Sequence, residues 1–212
     1  MKDLTNKVEA SKTIDSIFEE VDSLYAQGDF EETTIDNFYN EIIIIAKESG
    51  DKTLIGETYE RGIKYNLDKR DNYHAAIFAG EAKKMELVRK LIAEMTNLDD
   101  LYVNLEDAVR IAKRFGLPEE GSLVEKEKKS KYSAKFVFSR NMMGLCTVNS
   151  TKDDPWVETV TLYAKSIEHA CDKAAIVAVE NHIFNVYCKS WAIKDLTVPG
   201  QPWREAPYSM GP

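Results

Sequence analysis

The sequence predicts an α+β chain. An N-terminal domain of antiparallel helix hairpins, α-solenoid-like in its stacking, precedes a small antiparallel sheet with one packed helix in the order β-β-β-α-β. Three observations predict it. Only one proline, Pro118, interrupts residues 1–128. The apolar period is near 3.6 in that stretch and changes to two beyond residue 131. Between the two lies the charged stretch 125–135, Glu-Lys-Glu-Lys-Lys-Ser-Lys-Tyr-Ser-Ala-Lys. It reads as a frayed helix end and linker. The expected domains are therefore 1–128, 132–198 and a Pro-rich tail, 199–212, whose four prolines and two glycines are expected to forbid a regular element.

The first helix is carried by Ile14, Ile17, Phe18, Val21, Leu24 and Tyr25, which share one helical face. Gly28-Asp29 and Gly50-Asp51 each follow a helical run. Glycine suits the left-handed residue after a helix, and Asp can cap the next one. The run Ile42-Ile43-Ile44-Ile45 is β-like alone. Phe38, Tyr39 and Ile42 lead into it at helical spacing, so it reads as a helix buried on most of its circumference. An echo at offset 33 links Ile45-Ala46, Phe78-Ala79 and Ile111-Ala112. Each places an alanine one turn before a helix end, where a small residue lets paired helices approach closely.

The segments Leu24-Tyr25-Ala26-Gln27-Gly28-Asp29-Phe30-Glu31-Glu32 and Ala46-Lys47-Glu48-Ser49-Gly50-Asp51 resemble the helix–turn–helix of tetratricopeptide-like repeats, over residues 20–125. Gly28 and Gly50 are 22 residues apart, against the 34 of that family. The resemblance implies a peptide- or protein-binding scaffold.

In the back half Ala134, Phe136 and Phe138 alternate with Lys135, Val137 and Ser139. Leu145–Val148, Val157–Ala164 and Ile183–Ile193 also carry strand composition. Asp153-Asp154-Pro155 marks a turn. Between the last two strands Ser166 is the expected N-cap of a helix, with Ile167, Ala170, Ala174, Val177 and Ala178 on its apolar stripe. With Ala175, that Ser-and-alanine pattern is similar to the last helix of a double-stranded-RNA-binding domain, over residues 118–181. That family carries lysines just after the Ser. Here Ile167 and Glu168 follow it, and Cys171 stands where a lysine would recur.

No nucleotide, metalloprotease, EF-hand or nucleophile-elbow motif is present, so no catalytic residue, metal ligand or cofactor is expected. His169 and Cys171, two apart on a helix, diverge by about 200°, and His169, Cys171, His182 and Cys188 do not have zinc-site spacing. His74, at a helix start, is expected to cap or pack. The three cysteines (Cys146, Cys171 and Cys188) have no pairing spacing. They point to a reduced, cytoplasmic setting. No apolar stretch reaches the ~20 residues of a membrane span, and the opening Met1-Lys2-Asp3-Leu4-Thr5 lacks the apolar core of a signal peptide.

Charge is uneven. Residues 1–60 hold fifteen acidic residues against five lysines, while the rest hold twenty-one against twenty-three bases. This predicts an acidic surface for a protein partner on Glu19, Glu20, Asp22, Glu31 and Glu32. Trp203 and Tyr208 in the tail are expected either to pack back on the sheet, the commoner fate of such residues, or to dock on a partner as a second contact. The sequence thus reads first as a non-enzymatic interaction or adaptor module. The alternative is nucleic-acid association through the back domain and Lys126, Lys128, Lys129 and Lys131. An enzyme of an unrecognised class is the third reading.

Overall fold

The computed structural model describes residues 2–27, 32–101, 103–140, 156–180 and 186–205. The chain forms two compact units, Met1–Met95 and Thr96–Pro212. Helices fill the first unit, and the second carries an antiparallel sheet, as an α+β chain with a helical front requires. No helix among the described residues is long and apolar enough to cross a membrane.

The first unit holds α1 (Lys2–Gln27), α2 (Glu32–Glu48), α3 (Lys52–Asp68), α4 (Asn72–Glu81) and α5 (Met85–Met95). The stripe Ile14, Ile17, Phe18 and Val21 of α1 is buried, against Ile35, Tyr39, Ile42, Ile43 and Ala46 of α2. The isoleucine run is helical, but Ile44 is 53% exposed. One helical stripe holds 35, 39, 42, 43 and 46, and residue 44 falls on the other side of the helix. The expectation of burial around most of the circumference therefore fails at Ile44.

Asp51 caps α3 by accepting from the Leu54 N–H at 2.8 Å, and Asp71 caps α4 by accepting from the His74 N–H at 3.0 Å. Helix α4 is buried at every residue from His74 to Gly80, because α3 and α5 both pack on it.

The offset-33 echo is realised in backbone geometry. Ala46, Ala79 and Ala112 are fully buried, each two residues before its helix ends. Left-handed residues follow at the same offset: Gly50 (φ 67°), Lys83 (φ 61°) and Gly116 (φ 61°). Their N–H groups donate to the carbonyls of Lys47, Gly80 and Lys113, and the preceding N–H groups to those of Ile45, Phe78 and Ile111. These bonds satisfy carbonyls that a helix end leaves bare. Lys83 is the one non-glycine of the three, and a side chain there costs energy. Lys83→Gly is expected to stabilise the first unit by about 0.5–1 kcal/mol, read as a higher urea midpoint. A lower midpoint would contradict this.

The second unit contains α6 (Leu105–Arg114), α7 (Glu120–Ser130), β1 (Lys131–Arg140), β2 (Trp156–Tyr163), α8 (Ile167–Glu180), β3 (Val186–Asp195) and β4 (Arg204–Glu205). The sheet order is β2-β1-β3-β4, with every neighbouring pair antiparallel. Tyr132, Ala134 and Phe136 of β1, Leu162 of β2, and Trp191 and Ile193 of β3 face Ala170, Ala174 and Ala178 of α8. The alanine stripe brings the helix backbone close to the sheet. Ser166 caps α8, its Oγ accepting from the His169 N–H at 3.2 Å. The expected strand Leu145–Val148 lies outside the described residues, as does 183–185 of the last expected strand.

Two expectations are corrected. Residues 125–135 are not a linker, since α7 runs to Ser130 and β1 starts at Lys131. The charges are absorbed locally: Glu125 and Lys129 pair one helical turn apart, and Lys131 is held by Glu106 and Glu127. The division into units falls instead at Met95/Thr96. Nor is the Pro-rich tail free of regular structure. Arg204 and Glu205 pair with Ile193 and Ala192 of β3. They lie between Pro202 and Pro207 and keep the N–H groups that proline lacks.

Candidate functional site

Acidic side chains line the outward faces of α1 and α2. Glu19 and Glu20 are exposed and form no ion pair among the described residues. Asp22 is exposed but engaged. Its carboxylate accepts from Tyr65 Oη at 2.7 Å and lies 2.9 Å from Lys69 Nζ. The tyrosine hydrogen bond and the ammonium hold it below the usual carboxylate range. Glu31 lies outside the described residues, and Glu32 opens α2 with its side chain outside them. The structure adds two residues that the charge count alone did not single out, Glu41 and Glu48. With Asn37 and Ile44 they follow spacings of four, three and four, one face of a helix. All four are exposed, so Ile44 is an apolar group set among carboxylates.

A buried polar cluster lies beneath this surface. His74 is 3% exposed. Its Nδ1 is 2.6 Å from Asp71 Oδ2 and its Nε2 is 2.8 Å from Asp36 Oδ1. Tyr25 Oη donates to Asp71 Oδ2 at 3.0 Å. The Tyr39 ring lies against the imidazole, with centroids 4.6 Å apart. Burial alone would lower the pKa of His74, but hydrogen bonds and charge from Asp71 and then Asp36 outweigh it and raise the value. Burial likewise pushes the Asp71 carboxyl up, and His74 together with the Tyr25 hydrogen bond reverses that to a net lowering. Both ring nitrogens are occupied and the ring is covered, so the cluster can hold a proton but is not open to a substrate. The expectation that His74 caps or packs is refined: Asp71 is the cap, and His74 bridges two carboxylates.

The basic groups are largely committed. Lys126 Nζ donates to the Thr96 carbonyl at 2.7 Å, and Lys129 and Lys131 are in the ion pairs given above. Lys128 has none among the described residues. On the front unit Lys84 pairs with Glu60 and Lys90 approaches Glu94. Trp203 is 40% exposed, and Tyr208 lies outside the described residues.

His169 Nδ1 accepts from the Lys165 N–H at 3.3 Å, and Cys171 is half-buried. Among the described residues no group of three or more His, Cys, Asp or Glu is placed to hold a metal ion. No family model, curated protein or solved structure matches this chain.

Proposed function

We propose that the chain is a non-enzymatic protein-interaction module that offers the acidic outward faces of α1 and α2 to a basic partner. One observation carries the reading: Glu19, Glu20, Glu41 and Glu48 are exposed and form no ion pair among the described residues. Several cations of the unit are committed to other carboxylates, Lys7 to Asp51, Lys47 to Glu81, Arg61 to Asp15 and Lys69 to Asp22, while Lys12 is exposed on α1 with Glu19 and Glu20. An uncompensated field of one sign speeds the encounter with a partner of the other. Ile44 gives that encounter an apolar anchor, since binding energy concentrates where water is excluded. The three unpaired-looking cysteines of the sequence favour a cytoplasmic setting for it.

The test is affinity capture from the native host with the full chain, beside a variant carrying Glu19→Lys, Glu20→Lys, Glu41→Lys and Glu48→Lys. A partner is expected whose binding falls at least ~10-fold in the variant and weakens with added salt. Partners bound equally by both proteins would overturn the reading. Nucleic-acid association has less support, because three of the four lysines assigned to it are occupied within the second unit.

A further inference from the structure

We propose that Asp36, His74 and Asp71 form a proton-operated latch tying α2 to the start of α4, in which a doubly protonated imidazole holds both carboxylates and loss of one proton breaks its hydrogen bond to Asp36. The argument is a count of protons. Asp71 Oδ2 faces Nδ1 at 2.6 Å and Asp36 Oδ1 faces Nε2 at 2.8 Å. An ionised carboxylate only accepts hydrogen bonds, and a neutral imidazole has a single N–H. With both carboxylates ionised, two such contacts therefore require the imidazolium. In the neutral ring, one nitrogen lone pair would point at a carboxylate oxygen at hydrogen-bond distance, in a site with little water to separate them.

The geometry also selects the contact that yields. Asp71 is fixed three ways: its Oδ1 caps the His74 N–H, and its Oδ2 takes both Nδ1 and the Tyr25 hydroxyl. The remaining proton therefore stays on Nδ1, and Asp36 faces the bare Nε2. Groups on the surrounding elements fit this picture. From α1, Tyr25 binds Asp71. From α2 come Asp36 and the Tyr39 ring. At the end of α3, the Lys69 ammonium lies over the rings of Tyr25 and Tyr65 and pairs with Asp22. From α5, Glu94 takes the Asn72 amide. On α4 itself, the Tyr73 ring stands edge-on to the imidazole.

The linkage has a definite sign. The folded pKa of His74 is raised, so its stabilising contribution is complete below the unfolded value of about 6.5 and is lost as pH rises through the folded one. The latch is independent of what the outward face of α2 binds.

Imidazole 15N–1H correlation spectra of the full chain test it, with His74→Gln to assign the signals. Both ring nitrogens of His74 are expected to carry protons at about pH 6, and the midpoint is expected above the ~6.5 of a free imidazole. Asp36→Asn is expected to lower that midpoint. Its amide can donate to the bare Nε2, so this variant keeps the contact without the extra proton. Hydrogen exchange, corrected for intrinsic rates, supplies a second readout. Between about pH 6 and pH 9, protection of α2 amides relative to α5 amides should fall at least ~10-fold in the native chain and stay level in Asp36→Asn. A His74 midpoint at or below the ~6.5 of a free imidazole, a midpoint unmoved by Asp36→Asn, or a pH-independent exchange ratio in the native chain would each overturn the latch.

Discussion

Gly62→Ala will destabilise the first unit, and the same substitution will stabilise it once Phe78 has been cut back to alanine. A Cβ on Gly62 would lie 2.5 Å from Cγ and Cδ1 of Phe78 and 2.7 Å from Cδ2. These atoms form the root of the ring, so the side chain cannot swing its tip aside. The ring is fully buried and stands edge-on to Tyr39, centroids 5.4 Å apart. Tyr39 in turn contacts Phe18 and the His74 imidazole. The added methyl therefore pushes on a packed aromatic row. Overpacking of this kind costs about 1–3 kcal/mol, and the helix preference of alanine over glycine returns about 1 kcal/mol. Phe78→Ala alone should cost about 3–5 kcal/mol. In that background the Gly62 methyl meets empty space, so the helix preference acts unopposed. Urea unfolding of the native chain, the two single variants and the double variant measures the coupling. The expected value is the overpacking term itself, about 1–3 kcal/mol. Additive losses would show that Phe78 does not require the glycine.

The same neighbourhood shows how far the sequence could be read. The buried stripes of α1 and α2 follow from spacing alone, because burial of a helix face is a local periodic property. The three turns at offset 33 were legible as helix ends. The left-handed backbone was legible only at Gly50 and Gly116, since nothing about a lysine announces it at Lys83. The charged run at 125–131 misled. Alternating Glu and Lys look alike whether they are solvated or paired, and Lys126 finds its acceptor thirty residues back at Thr96. The site was legible in the same uneven way. Glu19 and Glu20 stand exposed as their charge implied. Asp22 is engaged by Tyr65, 43 positions along the chain. Asp71 and His74 meet within one helical turn, whereas Asp36 reaches the ring from 38 positions away. Local chemistry proposes a helix cap; only the packing of α2 on its neighbours makes it a two-carboxylate cluster.

Lys173→Met will cost the second unit several times what Lys165→Met does, although both lysines hold the same turn. Lys173 is 2% exposed. Its ammonium donates to the Tyr163 carbonyl at 2.8 Å and to the Asp100 carbonyl. Burial pulls its pKa down against the countering charges of Asp100 and Asp99. Lys165 pairs with Asp99 at the surface. Methionine keeps the stem of Lys173 and removes its donors, which leaves the buried Tyr163 carbonyl short of a partner away from water and the Asp100 carbonyl without its tie. Lost hydrogen bonds to a charged group cost roughly 1.5–3 kcal/mol each, and relief from burying the charge offsets part of that. The expected net loss is about 2–4 kcal/mol, against less than about 1 kcal/mol for the exposed pair. The turn itself is closed by the Asp100 N–H donating to the Asn97 carbonyl at 2.9 Å. Exchange of that amide should therefore quicken in Lys173→Met well before global unfolding and change little in Lys165→Met. Equal losses in the two variants would mean that the buried ammonium is no better a tie than a solvated one. The two carbonyls must then find water when it is gone.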